Sequence, residues 1–275
     1  MLSQHTVAVS PTLKQMAQIY SLSRSGGRAS PRFAAYLAEV EHHWGLAAYN
    51  PMAGDAATTA VNTLIALDAE SVARVAAQQV ADLCEWTDPV TLAVVAATPG
   101  MWTDRLATEV QHRTVADRRP AHGEILLWAS DEQRAETIAI EAAAEAVRTM
   151  WTAVHGSALS LHAILAREGL ACATVHEAAP AKPVDERVLE AIEILGDTSA
   201  VGDIVAVLYG DEAAVALGHT PLGIAERGGY ELAIGRAREL VSRVGMARAL
   251  RNDWRSTRSE SESVPRSVLS VLSAN

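Results

Sequence analysis

The sequence predicts an all-α protein, a multi-helix bundle with a smaller C-terminal helical region. One supporting observation is a proline-free stretch from Ser130 to about Arg167, whose apolar residues recur at helical spacing. These residues are Val147, Met150, Trp151, Val154, Ala158, Leu161 and Leu165. The other supporting observation is the composition. Alanine, which is abundant here, is the best helix former, and with a single phenylalanine the core must consist largely of small and aliphatic side chains. Both observations favour helices packed on helices.

Four dipeptides that place a capping side chain before a proline mark predicted helix starts. They are Ser10-Pro11, Ser30-Pro31, Asp88-Pro89 and Thr220-Pro221. Together with the apolar periodicity, they predict helices over 11–22, 31–44, 55–86 with a break at Asp68, 89–98, 103–116, 130–167, 184–195 and 220–254 with a break near Gly228-Gly229. Residues 199–209 form a short apolar segment. The segment Glu124–Trp128 fits either a single strand or the entry to the long helix.

The predicted domain boundary lies at a short proline-containing segment. Residues 178–183 read Ala-Ala-Pro-Ala-Lys-Pro, a composition typical of an extended linker. We therefore expect a helical bundle over 1–177 and a C-terminal helical region over 184–255. Residues 256–275 form a polar tail.

Charge and cysteine content limit the function classes. A net charge of −10 argues against nonspecific binding of nucleic acid. No apolar run is long enough for a membrane span, and the N-terminus does not resemble a secretory signal. Cys84 and Cys172 fit buried thiols in a reducing compartment. We expect a soluble, acidic, cytoplasmic protein, and the scarcity of lysine suggests a GC-rich bacterium.

A possible metal site lies along the predicted long helix. Glu141, Arg148, His155 and His162 follow one another at seven-residue spacing, which places them in one row beside the apolar stripe. Carboxylate and imidazole groups in such a row, with His43 at the edge of another helix, are candidate ligands for iron, manganese or zinc. The alternative is an ordinary row of polar residues at the boundary between core and solvent. The arginine in the middle of the row favours this alternative. Glu109 and His112, three residues apart, are interpreted as a solvated face.

Two groups of arginines are candidate binding residues. Arg24, Arg28 and Arg32 surround a Ser-Gly-Gly loop before a helix start, an arrangement that suits an anion. A plain interhelical loop is the alternative. In the C-terminal region, Arg236, Arg243, Arg248 and Arg251 belong to a basic segment that is a candidate partner-binding surface. Intramolecular pairing of these arginines is the alternative.

No nucleophile, phosphate-loop or dinucleotide motif is present, and no cofactor is indicated. The sequence therefore leaves two functional hypotheses. In the first, the chain is a non-catalytic helical subunit that binds a protein partner, forms a homo-oligomer, or binds an anionic small ligand. In the second, it is a helical-bundle enzyme that holds a metal or a small aromatic substrate between helices.

Overall fold

The protein is mostly helical, as predicted, but it contains a small parallel β-sheet, so the all-α expectation is wrong. A computed structural model describes residues 6–41, 49–98, 105–114, 121–175 and 185–252. Strands β1 (Val7–Ser10), β2 (Val90–Ala97) and β3 (His122–Trp128) lie in the order β1-β2-β3, and both pairings are parallel.

Strand β2 lies where the sequence predicted a short helix. Its segment Val-Thr-Leu-Ala-Val-Val-Ala-Ala is almost entirely buried. A parallel strand covered on both faces is apolar at nearly every position, so it lacks the alternation that usually distinguishes a strand from a helix. Strand β3 settles the ambiguous segment Glu124–Trp128 as a strand.

Helices pack against this sheet and against one another. Their bounds are α1 Thr12–Ser21, α2 Pro31–Val40, α3 Asp55–Ala66, α4 Ala69–Leu83, α5 Arg105–Thr114, α6 Ala135–His155, α7 Leu161–Val175, α8 Glu186–Leu195, α9 Val201–Tyr209, α10 Asp211–Ala216, α11 Gly228–Val244 and α12 Met246–Arg251. Helices α4 and α6 pack against each other and against the strands, while α1 and α3 contact β2. The break expected at Asp68 separates α3 from α4, with Asp68 in the left-handed conformation.

The single long helix predicted over 130–167 is two helices in the structure. Helix α6 ends at His155, and Gly156 follows with a φ of 80°, a conformation that favours glycine and stops the helix. Helix α7 then begins at Leu161 and packs against both α6 and α11. One cluster of buried apolar side chains includes Leu13 and Met150 from the N-terminal part and Ile234 and Leu250 from the C-terminal part.

The start of α1 is capped by a carboxylate from another helix. Glu70 of α4 accepts a hydrogen bond from the backbone N–H of Leu13 at 2.8 Å. Burial raises the pKa of the Glu70 carboxyl, although the N–H groups of Leu13 and Thr12 oppose this shift. This carboxylate occupies the helix N-terminus that follows β1, a position where other α/β proteins bind anionic ligands.

Replacing Glu70 by glutamine is expected to change how stability depends on pH. A carboxyl whose pKa is raised in the folded state stabilises the fold most below its unfolded pKa, and this contribution is lost as the pH rises through the folded pKa. As the pH rises above about 4.5, the free energy of unfolding of the wild type should therefore fall relative to that of Glu70→Gln. The fall should be less than about 1 kcal/mol, because solvent screens a half-buried group.

Urea unfolding between pH 4.5 and 7 measures this difference, with Glu190→Gln on the exposed surface of α8 as the control. If the difference in free energy of unfolding between the wild type and Glu70→Gln does not change with pH, the pKa of Glu70 is not raised in the folded protein.

Candidate functional site

The candidate site is a cleft along β3, which we call the β3 cleft. Helices α5 and α6 flank it, and its cavity volume is about 80 Å³. Its lining residues are Arg105, Glu109, His112, Arg113, Glu124, Ile125, Leu126, Leu127, Trp128, Asp131, Glu132, Gln133, Thr137, Glu141, Glu145 and Arg148. This volume is small for a ligand site, and the number of charged side chains is high for one.

Regular secondary structure brings these side chains together. On β3, Glu124, Leu126 and Trp128 share one face because strand side chains alternate. On α6, the lining residues Thr137, Glu141, Glu145 and Arg148 recur at spacings of three or four and share one helix face. The lining residues of α5 follow the same rule, from Arg105 to Arg113.

Buried ion pairs centred on Glu168 of α7 lie behind the cleft. The Glu168 carboxylate is fully buried, and its Oε2 accepts hydrogen bonds from Arg148 Nε at 2.9 Å and Arg113 NH1 at 3.1 Å. Its Oε1 accepts from Arg167 Nε at 3.0 Å. Glu145 Oε2 adds a contact of 3.4 Å to Arg148. We call these five side chains the buried arginine network.

The network is held in its charged form. Burial and, next, the charge of Arg113 lower the pKa of the Arg148 guanidinium, whereas Glu168, Glu145 and Cys172 raise it, and the net result is a raised pKa. Burial is the largest single effect on Arg113 and lowers its pKa, but Glu168, together with Tyr230, Tyr209 and Glu141, raises the pKa above its usual value. Paired charges of this kind stay ionised in the interior, and removing one partner exposes the others to an uncompensated desolvation cost.

At one end of the cleft, Arg105 links α5 to the segment that follows β3. Its guanidinium contacts Asp131 at 2.7 Å and Glu109 at 2.9 Å, and lies 5.0 Å from the ring centre of Trp128. Gln133 Nε2 donates to the Trp128 carbonyl at 2.7 Å. These contacts fix the position of α5 and of the aromatic ring that lines the cleft.

A histidine and a carboxylate face each other across the cleft. His112 Nδ1 of α5 lies 3.6 Å from Glu124 Oε2 of β3, and Glu124 is 7% exposed. Burial, and secondarily the charge of Glu124, raises the pKa of Tyr36 of α2, which places this tyrosine near the same carboxylate. Histidine and carboxylate side chains are the groups that most often act as general acids and bases, so this pair has the chemistry for acid–base catalysis as well as for binding.

The cleft is acidic overall. Six carboxylates line it against three arginines. The side chain of Glu141 is partly buried and makes no hydrogen bond to any described residue. A cationic or donor-rich group is therefore the ligand that suits this lining electrostatically.

Comparison with known proteins gives no match: no family model, no curated protein and no solved structure matches this chain. In the described part of the chain, no helix is both long and apolar enough to cross a membrane.

The predicted metal-ligand row does not form a metal site in the described residues. Glu141 and Arg148 line the β3 cleft. His155 lies elsewhere, at the end of α6. Its Nε2 is 2.9 Å from the Leu250 carbonyl, and its ring packs against Trp151. His162 belongs to α7, where its ring packs so tightly on Gly196 that a Cβ there would overlap it. The prediction of a single row was wrong because α6 stops at Gly156, which separates His162 from the other members.

The fourth candidate metal ligand, His43, lies outside the described residues. Among the described residues, no group of three or more His, Cys, Asp or Glu side chains is placed to bind a metal ion.

The predicted anion-binding arginines do not act together. Arg32 is buried, and its guanidinium donates to the carbonyls of Leu22 at 2.9 Å and Tyr20. It therefore fixes the end of α1 and is not available to an anion. Arg24 and Arg28 are exposed, and their role as anion ligands stays a prediction.

The predicted partner-binding arginines also divide into two kinds. Arg251 donates to the carbonyls of Cys84 at 3.0 Å and Glu85 at 3.1 Å and lies over the Trp86 ring, so it joins α12 to the end of α4. Arg236, Arg243 and Arg248 are exposed on α11 and α12, and partner binding by them stays a prediction.

Sequence reasoning missed most of the cleft. Glu109 and His112, interpreted as a solvated face, line it instead, and His112 approaches Glu124. The sequence feature that could have indicated the site is the presence of charged residues inside apolar segments. Glu124 lies within a buried strand, and Arg167-Glu168 interrupts the apolar helix α7. Charged residues are rarely fully buried unless they are paired, so two such interruptions indicate an internal ion-pair cluster.

Proposed function

We propose that this protein binds a small molecule carrying a cationic group in the β3 cleft. The observation that carries the proposal is the excess of carboxylates over arginines in a cleft beside a parallel strand. Ligands of α/β proteins commonly bind beside the carboxyl ends of such strands, and Trp128 and Gln133 lie at that end of β3. The anionic ligand expected at Arg24 and Arg28 stays a separate prediction for another part of the molecule.

Glu141 is the main charge contact in the proposal. The neighbouring carboxylates Glu145 and Asp131 are engaged by Arg148 and Arg105, whereas Glu141 has no hydrogen-bond donor among the described residues. An ammonium or guanidinium group entering the cleft would supply that donor, and charge-assisted hydrogen bonds are the stronger class. Trp128 adds an aromatic surface for the apolar part of the ligand.

Glu141→Gln is expected to weaken binding of simple amines by about tenfold or more, since a hydrogen bond to a charged group contributes about 1.5 to 3 kcal/mol. Binding of n-butylamine and agmatine, with butyrate as the anionic comparison, is measured by isothermal titration calorimetry. Glu190→Gln on α8 removes the same charge from the exposed surface and serves as the matched control.

Equal affinities in Glu141→Gln and Glu190→Gln, or tighter binding of butyrate than of the amines, would refute a cationic ligand in this cleft.

A further inference from the structure

A second cavity lies at the amino ends of β2 and β3, and its volume is about 530 Å³. Its described lining comes from the segment Trp86–Asp88 before β2, from Ala121 before β3, from the last turn of α6 and from Arg251 at the end of α12. We call it the Trp86 cavity. It shares no described lining residue with the β3 cleft. Its volume is within the range of small-molecule sites.

Arg251 supplies this cavity with a fixed positive charge. Its NH1 donates to the carbonyls of Cys84 at 3.0 Å and Ala247 at 2.9 Å, and its NH2 donates to the Glu85 carbonyl at 3.1 Å. These carbonyls hold the guanidinium in place without neutralising it, and its other N–H groups remain for an acceptor. No carboxylate among the described residues pairs with Arg251. A cation that is already held in position binds an anion at a small cost in side-chain freedom.

The wall beside Arg251 is apolar. The ring centre of Trp86 lies 5.8 Å from the Arg251 Cζ, and Ala153 and Val154 also line the cavity. Val154 is 41% exposed, which is high for a large apolar side chain, so a hydrocarbon group that covers it would bind favourably. The Nε1–H of Trp86 is buried and has no hydrogen-bond acceptor in the described structure. Neighbouring side chains thus carry an unpaired cation and an unpaired donor, and both require an acceptor.

Asp88 limits the charge of the ligand. Its side chain lines the cavity, is exposed, and makes no hydrogen bond to any described residue. A second negative charge on the ligand would be repelled by this carboxylate, so a single carboxylate is favoured over a phosphate. We propose that the Trp86 cavity binds a small apolar monocarboxylic acid, with its carboxylate on Arg251 and its hydrocarbon part against Trp86 and Val154. This site is separate from the β3 cleft and does not depend on the function proposed for that cleft.

The test uses phenylacetate, with phenylacetamide as the uncharged comparison and phenethylamine as the cationic one. Binding to the full chain is measured by isothermal titration calorimetry for the wild type, Asp88→Asn and Val154→Glu. Val154→Thr keeps the shape of the side chain without adding a charge and is the matched control. Arg251 is left in place because it joins α12 to the end of α4. Val154→Glu also removes this cavity from the comparison of butyrate with amines that tests the β3 cleft.

We expect phenylacetate to bind the wild type at least about tenfold more tightly than either comparison compound, a factor that corresponds to about 1.4 kcal/mol. Asp88→Asn should tighten its binding by about twofold or more, because a like charge is removed, and Val154→Glu should weaken it by about tenfold or more, because one is added. The proposal is overturned if phenylacetate binds no more tightly than phenylacetamide, or if Val154→Glu and Val154→Thr bind it equally. Weaker binding of phenylacetate by Asp88→Asn would overturn it as well.

Discussion

Replacing Glu168 by glutamine is expected to lower the free energy of unfolding by about 3 to 5 kcal/mol, the cost of removing one partner from a buried ion pair. The glutamine side chain keeps nearly the same shape, so no cavity contributes to the loss. Arg148, Arg113 and Arg167 would retain their charges, because arginine does not deprotonate in a protein interior. Three guanidinium groups would then share only Glu145 as a close carboxylate within the network.

Chemical denaturation followed by circular dichroism measures the change, with the midpoint shifted to lower denaturant at an unchanged slope. Glu109→Gln is the matched control, because Glu109 also pairs with an arginine of this cleft but has a side chain that is 26% exposed. It should change stability by no more than about 1 kcal/mol. A loss below about 1 kcal/mol for Glu168→Gln would mean that the buried arginine network does not stabilise the fold as described.

Replacing Gly169 by alanine is expected to destabilise the contact between α7 and α11 by about 1 to 3 kcal/mol or more, the usual cost of overpacking. A Cβ at this position would lie 2.5 Å from the Ala233 carbonyl oxygen. The obstacle is backbone, so no side-chain rotation can remove it and the two helices must separate. This separation would also disturb the network, because Glu168 is the adjacent residue of α7.

Gly235→Ala is the matched control for this prediction. Gly235 lies on α11, is exposed, and has no atom within 4 Å of the position a Cβ would take. Alanine should therefore raise stability by about 0.5 to 1 kcal/mol through its higher helix propensity. Thermal unfolding of both variants checks the pair, and the prediction is wrong if Gly169→Ala unfolds at or above the wild-type temperature.

The contrast between these two glycines illustrates a limit of sequence reasoning. Both lie in helices and both look like isolated helix-weakening residues in the sequence. Only the close approach of α11 to α7 makes one indispensable and the other replaceable. Close contact between helices depends on three-dimensional distance, which residue spacing along one helix does not report.

The sequence alone determined the helix-rich character of the protein, several helix starts and the break at Asp68. These features depend on local physics: capping side chains, proline geometry and the periodicity of apolar residues. Local patterns also placed Glu141 and Arg148 on one face of α6, although they wrongly extended that face across Gly156 to His162.

Val90–Ala97 is recognisable as a strand only once the elements are packed, because burial on both faces removes the alternation that identifies strands. The candidate site also depends on the tertiary structure. Glu124, Glu168 and His112 come from β3, α7 and α5, and the cleft exists only where these elements pack together. Electrostatic pairing acts through space, so charges that appear scattered in the sequence become one network once the elements are folded.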